Sequence, residues 1–140
     1  MRLIVGGAFQ GKLDVALEME RATRNVVVEG MVANGLIADG AVCTVADCRS
    51  ARIVNRFHLL VKRALQDEAA MLPELEAFVN DEQQTARELT IICDELGCGV
   101  VPFEKEDREW REKTGRLLCE LAQRAGAVYR VIAGVAVRIK

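Results

Sequence analysis

Residues 4–18 read IVGGAFQGKLDVALE: a short apolar run, a glycine-rich turn, then an amphipathic stretch. Gly6, Gly11 and Lys12 fit G-x-x-x-x-G-K-[ST], in which backbone N–H groups and a helix N-terminus surround phosphates while the lysine adds a point charge. The last position departs, because Leu13 stands where a hydroxyl normally meets Mg²⁺. Leucine offers no oxygen, so phosphate binding is expected to survive while metal positioning weakens. Phosphoryl transfer, which relies on that positioning, suffers more than binding. The plain alternative is a glycine turn that only packs a helix on a sheet; Lys12 at the motif position favours the anion site.

Outward from the loop, apolar runs alternate with amphipathic stretches. RLIVGG (2–7), NVVVEG (25–30), AVCTVAD (41–47), LTIICDE (89–95) and YRVIAG (129–134) are short, largely β-branched and end in Gly or an acid, as strands buried on both faces do. Helical patterns are expected over 12–22, over a long stretch from 50 to 88 broken at Pro73, and over 104–125, where Trp110, Leu117, Leu118 and Leu121 recur at helical spacing. MVANGLIADG (31–40) reads as a brief helical turn closed by Gly40, and VAVRIK as an edge strand after Gly134. The alternation predicts an α/β fold, a P-loop-type, mainly parallel sheet flanked by helices, in a single domain over 1–140.

The bulk composition excludes several classes. No stretch nears the about 18 apolar residues of a membrane span, and MRLIVGG runs directly into the glycine loop rather than into a leader. The formal net charge is −2 with dispersed Lys and Arg, so no nucleic-acid footprint is present. Five cysteines, an odd number without an export signal, predict reduced thiols and a cytoplasmic protein. Cys43/Cys48 and Cys93/Cys98 share a C-x-x-x-x-C spacing, but zinc knuckles are tighter, and Cys43 and Cys93 lie in apolar runs that suit buried structural thiols.

Asp47 follows AVCTVA, the place of a strand-end acid that holds Mg²⁺ directly or through water; an N-cap or first-turn acid for a helix beginning near Arg52 is the other reading. Glu95 closes an apolar strand before a glycine turn, which suits a metal-bound water, a ligand hydroxyl or a turn cap. Arg116 could reach a phosphate or lie solvated on its helix, Asn55 could bind a ligand or cap a helix, and Phe103 and Trp110 read as packing residues.

DELGCGVVP (94–102), WREKTGR (110–116) and YRVIAGVAVRIK (129–140), with GGAFQGKL in the loop, resemble the adenosylcobinamide kinase/adenosylcobinamide-phosphate guanylyltransferase family of cobalamin assembly. Asp47-Cys48 followed by Asn55 looks like that family's acid-plus-Cys strand end. The resemblance implies that Gly6, Gly7, Ala8, Gly11 and Lys12 cradle the phosphates of ATP or GTP, that Arg116 joins them, and that Asp47 and Glu95 lie near Mg²⁺. It further implies that Gly97, Gly99 and Pro102 shape a loop at the carboxyl edge of the sheet, that a corrinoid is the second substrate, and that copies assemble into a homo-oligomer. The sequence departs from the family in Leu13, Phe9, Gln10 and Asp94, and in holding no histidine between loop and acid. The single histidine, His58, lies on a later amphipathic run and does not inherit a covalent role. Two functions therefore stand side by side: a kinase or nucleotidyltransferase of cobalamin biosynthesis whose guanylyltransfer half lacks its histidine, and a catalytically silent nucleotide- or corrinoid-binding relative that serves as a binding or assembly module.

Overall fold

RLIVG forms β1 (Arg2–Gly6), an inner strand buried from Leu3 onward, in a computed structural model that describes residues 1–24, 36–66, 70–81, 83 and 86–140. The glycine turn releases the chain into α1 (Lys12–Arg24). After it come β2 (Ile37–Asp39), α2 (Val45–Ser50), β3 (Ile53–Asn55), α3 (Phe57–Gln66), α4 (Met71–Asn80), β4 (Thr90–Asp94), α5 (Lys105–Arg124), β5 (Ala127–Ile132) and β6 (Val135–Arg138). The strands lie in the order β2-β3-β4-β1-β5-β6, all parallel except β6, which turns back antiparallel on β5.

Strand side chains alternate between the two faces, and the core divides accordingly. Leu3, Val5, Val54, Ile91, Cys93 and Val128 face the layer built by α2, α3, α4 and α5. Ile4, Ile53, Ile92 and Val131 face α1 through Val15 and Ala16. The neighbouring strands β1 and β4 thus send their chains to opposite faces, β1 into α1 and β4 toward α5. Open parallel sheets bind ligands in the crevice that such a divergence leaves at the strands' carboxyl ends.

The mainly parallel sheet flanked by helices agrees with the sequence reading, and β1, α1, β4, α5, β5 and the edge strand β6 lie where the periodicity put them. Three expectations are corrected. Residues 41–47 are a turn and the first residues of α2 instead of a strand, because Thr44 caps the helix: its hydroxyl accepts from the Asp47 N–H at 3.2 Å while the Asp47 carboxylate accepts from the Thr44 N–H at 2.7 Å. The long helical stretch from 50 to 88 contains β3, and Pro73 sits in the first turn of α4, where its missing N–H costs nothing. Of MVANGLIADG, residues 36–40 hold β2 where a helical turn was expected, and residues 31–35 lie outside the described residues. The strand expected over 25–30 lies outside the described residues.

Cys43 and Cys48 occupy the positions just before the α2 cap and one turn inside it, with their sulfurs 3.7 Å apart. They form a hydrophobic staple over the capping box. Contact with Cys43 and burial both push the Cys48 thiol up, which keeps it protonated within the core. No helix among the described residues is long and apolar enough to cross a membrane.

Candidate functional site

Glycine at position 6 is a steric requirement. Its φ is +153°, and a Cβ there would lie 2.4 Å from the Val131 carbonyl oxygen. Gly11 closes the loop at φ +76°, and Phe9 between them also has a positive φ of 57° with its ring in solvent. The loop is tied down on both sides. Glu95 N–H donates to Gly6 O at 3.0 Å, while the β5–β6 turn donates from Gly134 to Gln10 O at 3.0 Å and from Ala133 to Gln10 Oε1 at 2.6 Å. Gln10, read from the sequence only as a departure, is therefore the loop's strap to the last hairpin. Helical bonding begins at Val15 N–H to Gly11 O, 3.1 Å. The N–H groups of Lys12, Leu13 and Asp14 precede it and leave the partial positive charge of the α1 N-terminus at the loop.

Lys12 is only 6% exposed, and its ammonium meets Asp94 Oδ1 at 2.8 Å while donating to Gly7 O. Asp94 ends β4 directly beside Gly6 in the parallel register. Its N–H donates to His58 Nδ1 at 3.2 Å, so the proton of the neutral ring sits on Nε2, 3.7 Å from Asp94 Oδ2. Burial holds His58 below its ordinary pKa, Lys12 and Arg56 acting in the same direction and Asp94 and Asp39 against it. Trp110 of α5 fixes the backbone beneath this histidine through Nε1–H to His58 O at 2.7 Å.

A second cation stands at the end of β3. Arg56 adopts a left-handed φ of 52°, and its carbonyl occupies the space that a Cβ on residue 40 would need, 2.2 Å away, so only glycine fits at Gly40. Its Nε lies 2.9 and 3.1 Å from the two Asp39 oxygens and its Nη2 lies 2.6 Å from Oδ2. Asp39 itself is held by the Ala41 N–H at 3.0 Å, and its carboxylate keeps the Arg56 guanidinium firmly charged. An exposed ion pair contributes about 0.2–1 kcal/mol, whereas a left-handed non-glycine residue costs about 1–3 kcal/mol. The Asp39 pair alone does not offset the strain.

These groups line one cavity of about 380 Å³, bounded by the loop residues 8–14, by Asn55, Arg56 and His58, and by Ile92 and Asp94. That volume is within the range of small-ligand sites. Ala8, Gly11 and Lys12, expected at the phosphates, are in its wall; Gly6 and Gly7 shape the loop behind it.

The other expected residues are elsewhere. Asp47 is not at a strand end: its carboxylate is spent on Thr44, whose backbone and hydroxyl bonds hold its pKa below the usual range. Glu95 turns to the β5 side, where its Oε2 binds Arg130 at 2.9 and 3.2 Å. Arg116 is exposed on α5 in an i,i+4 pair with Glu112 at 2.7 Å and borders a separate groove with Gly97 and Arg111. Phe103, read as a packing residue, is exposed. Asp94, Arg56 and His58 stand beside the loop, where the sequence reading had looked for Asp47 and Glu95. The signal for Asp94 was its place at the end of the apolar run LTIIC.

The donor set sets limits on Mg²⁺. Among the described residues no group of three or more His, Cys, Asp or Glu is arranged to hold a metal ion, and Leu13 contributes none. Mg²⁺ is commonly held by one or two carboxylates plus substrate phosphates and water. Asp94, with Asp14 and Asn55 in the same wall, fits that mode.

The family model described as cobinamide kinase / cobinamide phosphate guanyltransferase matches residues 29–139, and the chain belongs to that family. The match begins beyond the glycine loop, so the loop rests on its own sequence and geometry. Over 73 residues the chain is 30% identical to the bifunctional adenosylcobalamin biosynthesis protein CobU of Escherichia coli (strain K12), and equally to that of Salmonella typhimurium. The aligned stretch covers 52% of this chain and 40% of each relative, so it spans about two fifths of the length of those curated proteins.

Proposed function

We propose that this family member binds ATP or GTP in the cavity between the ends of β1, β4 and β3 and transfers a phosphoryl group to a cobinamide hydroxyl. The observation that carries the reading is the 2.8 Å pairing of Lys12, the first residue of α1, with Asp94, which ends β4 beside the last residue of β1. Lys12 and the first-turn N–H groups hold the phosphates. Asp94, paired with Lys12, would hold Mg²⁺ beside those phosphates. Mg²⁺, when bound through Asp94 and the phosphates, supplies charge neutralisation on the transferring group. Transfer of a guanylyl group through a covalent histidine is not part of this reading, because His58 directs both ring nitrogens at Asp94.

Leu13 favours a second reading, a relative that binds nucleotide or corrinoid without turnover. Calorimetric titration of the metal-stripped protein with ATP and GTP, with and without Mg²⁺, separates the two when followed by turnover with cobinamide. For the enzyme, we expect micromolar binding lost at least tenfold in Lys12→Ala, and phosphorylated cobinamide as product. Binding that is indifferent to Mg²⁺ and gives no product supports the silent relative. Absence of nucleotide binding under every condition overturns both nucleotide readings.

A further inference from the structure

We propose that Phe9 is the platform for the nucleotide's purine: with the phosphates at Lys12, the base lies flat on the Phe9 ring at the outer lip of the loop. The proposal rests on reading this cavity as a nucleotide site, and it adds how the base is held there, at a position where the loop departs from its family.

Three observations converge on Phe9. The first is its cost to the fold. Its backbone is left-handed at φ 57° although it is not glycine, and its ring is fully exposed, so no packing offsets the strain. Strain of this kind persists where the surroundings impose it, and it gathers at ligand sites. A ring left in water also forgoes the burial by which aromatic side chains stabilise a fold. The second is its place. Phe9 lines the same cavity as Lys12 and Asp94. Three residues of chain reach at most about 11 Å, so a ring attached to phosphates at Lys12 comes within range of it. The third is its support. Gly6 accepts from Glu95 N–H, and Gln10 accepts from the Ala133 and Gly134 N–H groups of the β5–β6 turn. The ring is therefore carried on a backbone fixed in advance, which lowers the ordering cost of binding. Ile132 and Val135, paired on either side of that turn, are exposed apolar side chains as well.

A flat ring on a fixed arm suits a flat ligand face. Within a nucleoside triphosphate the base supplies that face, and stacking on an aromatic side chain needs no particular hydrogen-bond pattern. Phe9 then contributes to ATP and GTP alike and nothing to the phosphates.

The test compares wild type, Phe9→Asn and Phe9→Tyr in thermal unfolding and in calorimetric titrations, with Mg²⁺ present, using ATP, GTP, cobinamide and tripolyphosphate, the last carrying phosphates without a base. Asparagine accepts a left-handed backbone, so it removes the ring and keeps the turn, whereas tyrosine keeps both. Wild type is expected to bind ATP and GTP at least tenfold more tightly than tripolyphosphate. Phe9→Asn should lose tenfold or more on both nucleotides, hold tripolyphosphate within twofold and melt no lower than wild type; Phe9→Tyr should stay within threefold of wild type throughout. Equal loss of nucleotides and tripolyphosphate would show that Phe9 shapes the anion turn, and a lowered melting temperature that the ring supports the fold; either overturns the platform. Unchanged nucleotide affinity in Phe9→Asn overturns it as well, as does a wild type that binds tripolyphosphate as tightly as ATP. Weaker cobinamide binding with ATP unchanged would assign the ring to the acceptor and reject the purine. Failure of the underlying reading has its own signature: wild type binds neither nucleotide nor tripolyphosphate.

Discussion

Leu13 and Asp94 together define how far this loop departs from a phosphate loop with a full metal set. The hydroxyl that would stand at position 13 is absent, while a carboxylate lies 2.8 Å from the adjoining lysine. Returning an oxygen should therefore act through the metal. In Leu13→Thr, nucleotide affinity in the presence of Mg²⁺ should rise about five- to tenfold, or about 1 kcal/mol, in line with one added charge-assisted contact, with little change in its absence. Paired calorimetric titrations check this, and an equal gain without Mg²⁺ would show that the residue acts on the loop's shape instead. The glycines and Lys12 were legible because the motif fixes their spacing. Arg56 and His58 were not, since what makes them notable, a left-handed φ and a hydrogen bond to Asp94, arises from neighbours distant in sequence.

At the scale of elements, α2 shows how a local signal can be misread. AVCTVAD has the β-branched content of a strand, yet Thr44 and Asp47 are spaced as a capping box, and Cys43 and Cys48 as its staple. Those local bonds outweigh a strand preference in so short a run. Thr44→Ala should lower stability by about 1 kcal/mol, read from denaturant unfolding. The pH dependence follows from Asp47, whose folded pKa lies below its unfolded value. Its contribution is present above the unfolded carboxylate range and is lost as pH falls through the folded pKa. The stability gap between wild type and Asp47→Ala should accordingly narrow as pH drops below about 4; a gap that persists into strong acid would mean that the carboxylate charge is irrelevant. β3 escaped notice for another reason: three residues show no period, and only pairing with β2 and β4 makes them a strand.

For the whole molecule, alternating apolar and amphipathic runs were enough to give a mainly parallel sheet, because such runs have few other ways to bury both faces. They could not give strand order, which placed Asp94 rather than Asp47 beside the loop. Burial also makes a global prediction about the thiols. All five cysteines are free, with Cys98 and Cys119 exposed and Cys43, Cys48 and Cys93 buried. Ellman's reagent should titrate two thiols rapidly in the native protein and the full five after denaturation. Rapid reaction of all five would show that the core around β4 and α2 opens readily.

The strap from Gln10 to the last hairpin has a temporal meaning. Gln10 and Ala133 are 123 positions apart in the chain, and the oxygen that forces glycine at position 6 belongs to Val131. On a ribosome the glycine turn therefore emerges well ahead of the groups that set its shape. The glycine turn thus acquires its form only after β5 has docked beside β1, and nascent chains still short of residue 134 lack its complete scaffold. Contacts of such long range are slow to form, so the turn takes its final shape together with the burial of Val128 and Val131 of β5 in the core.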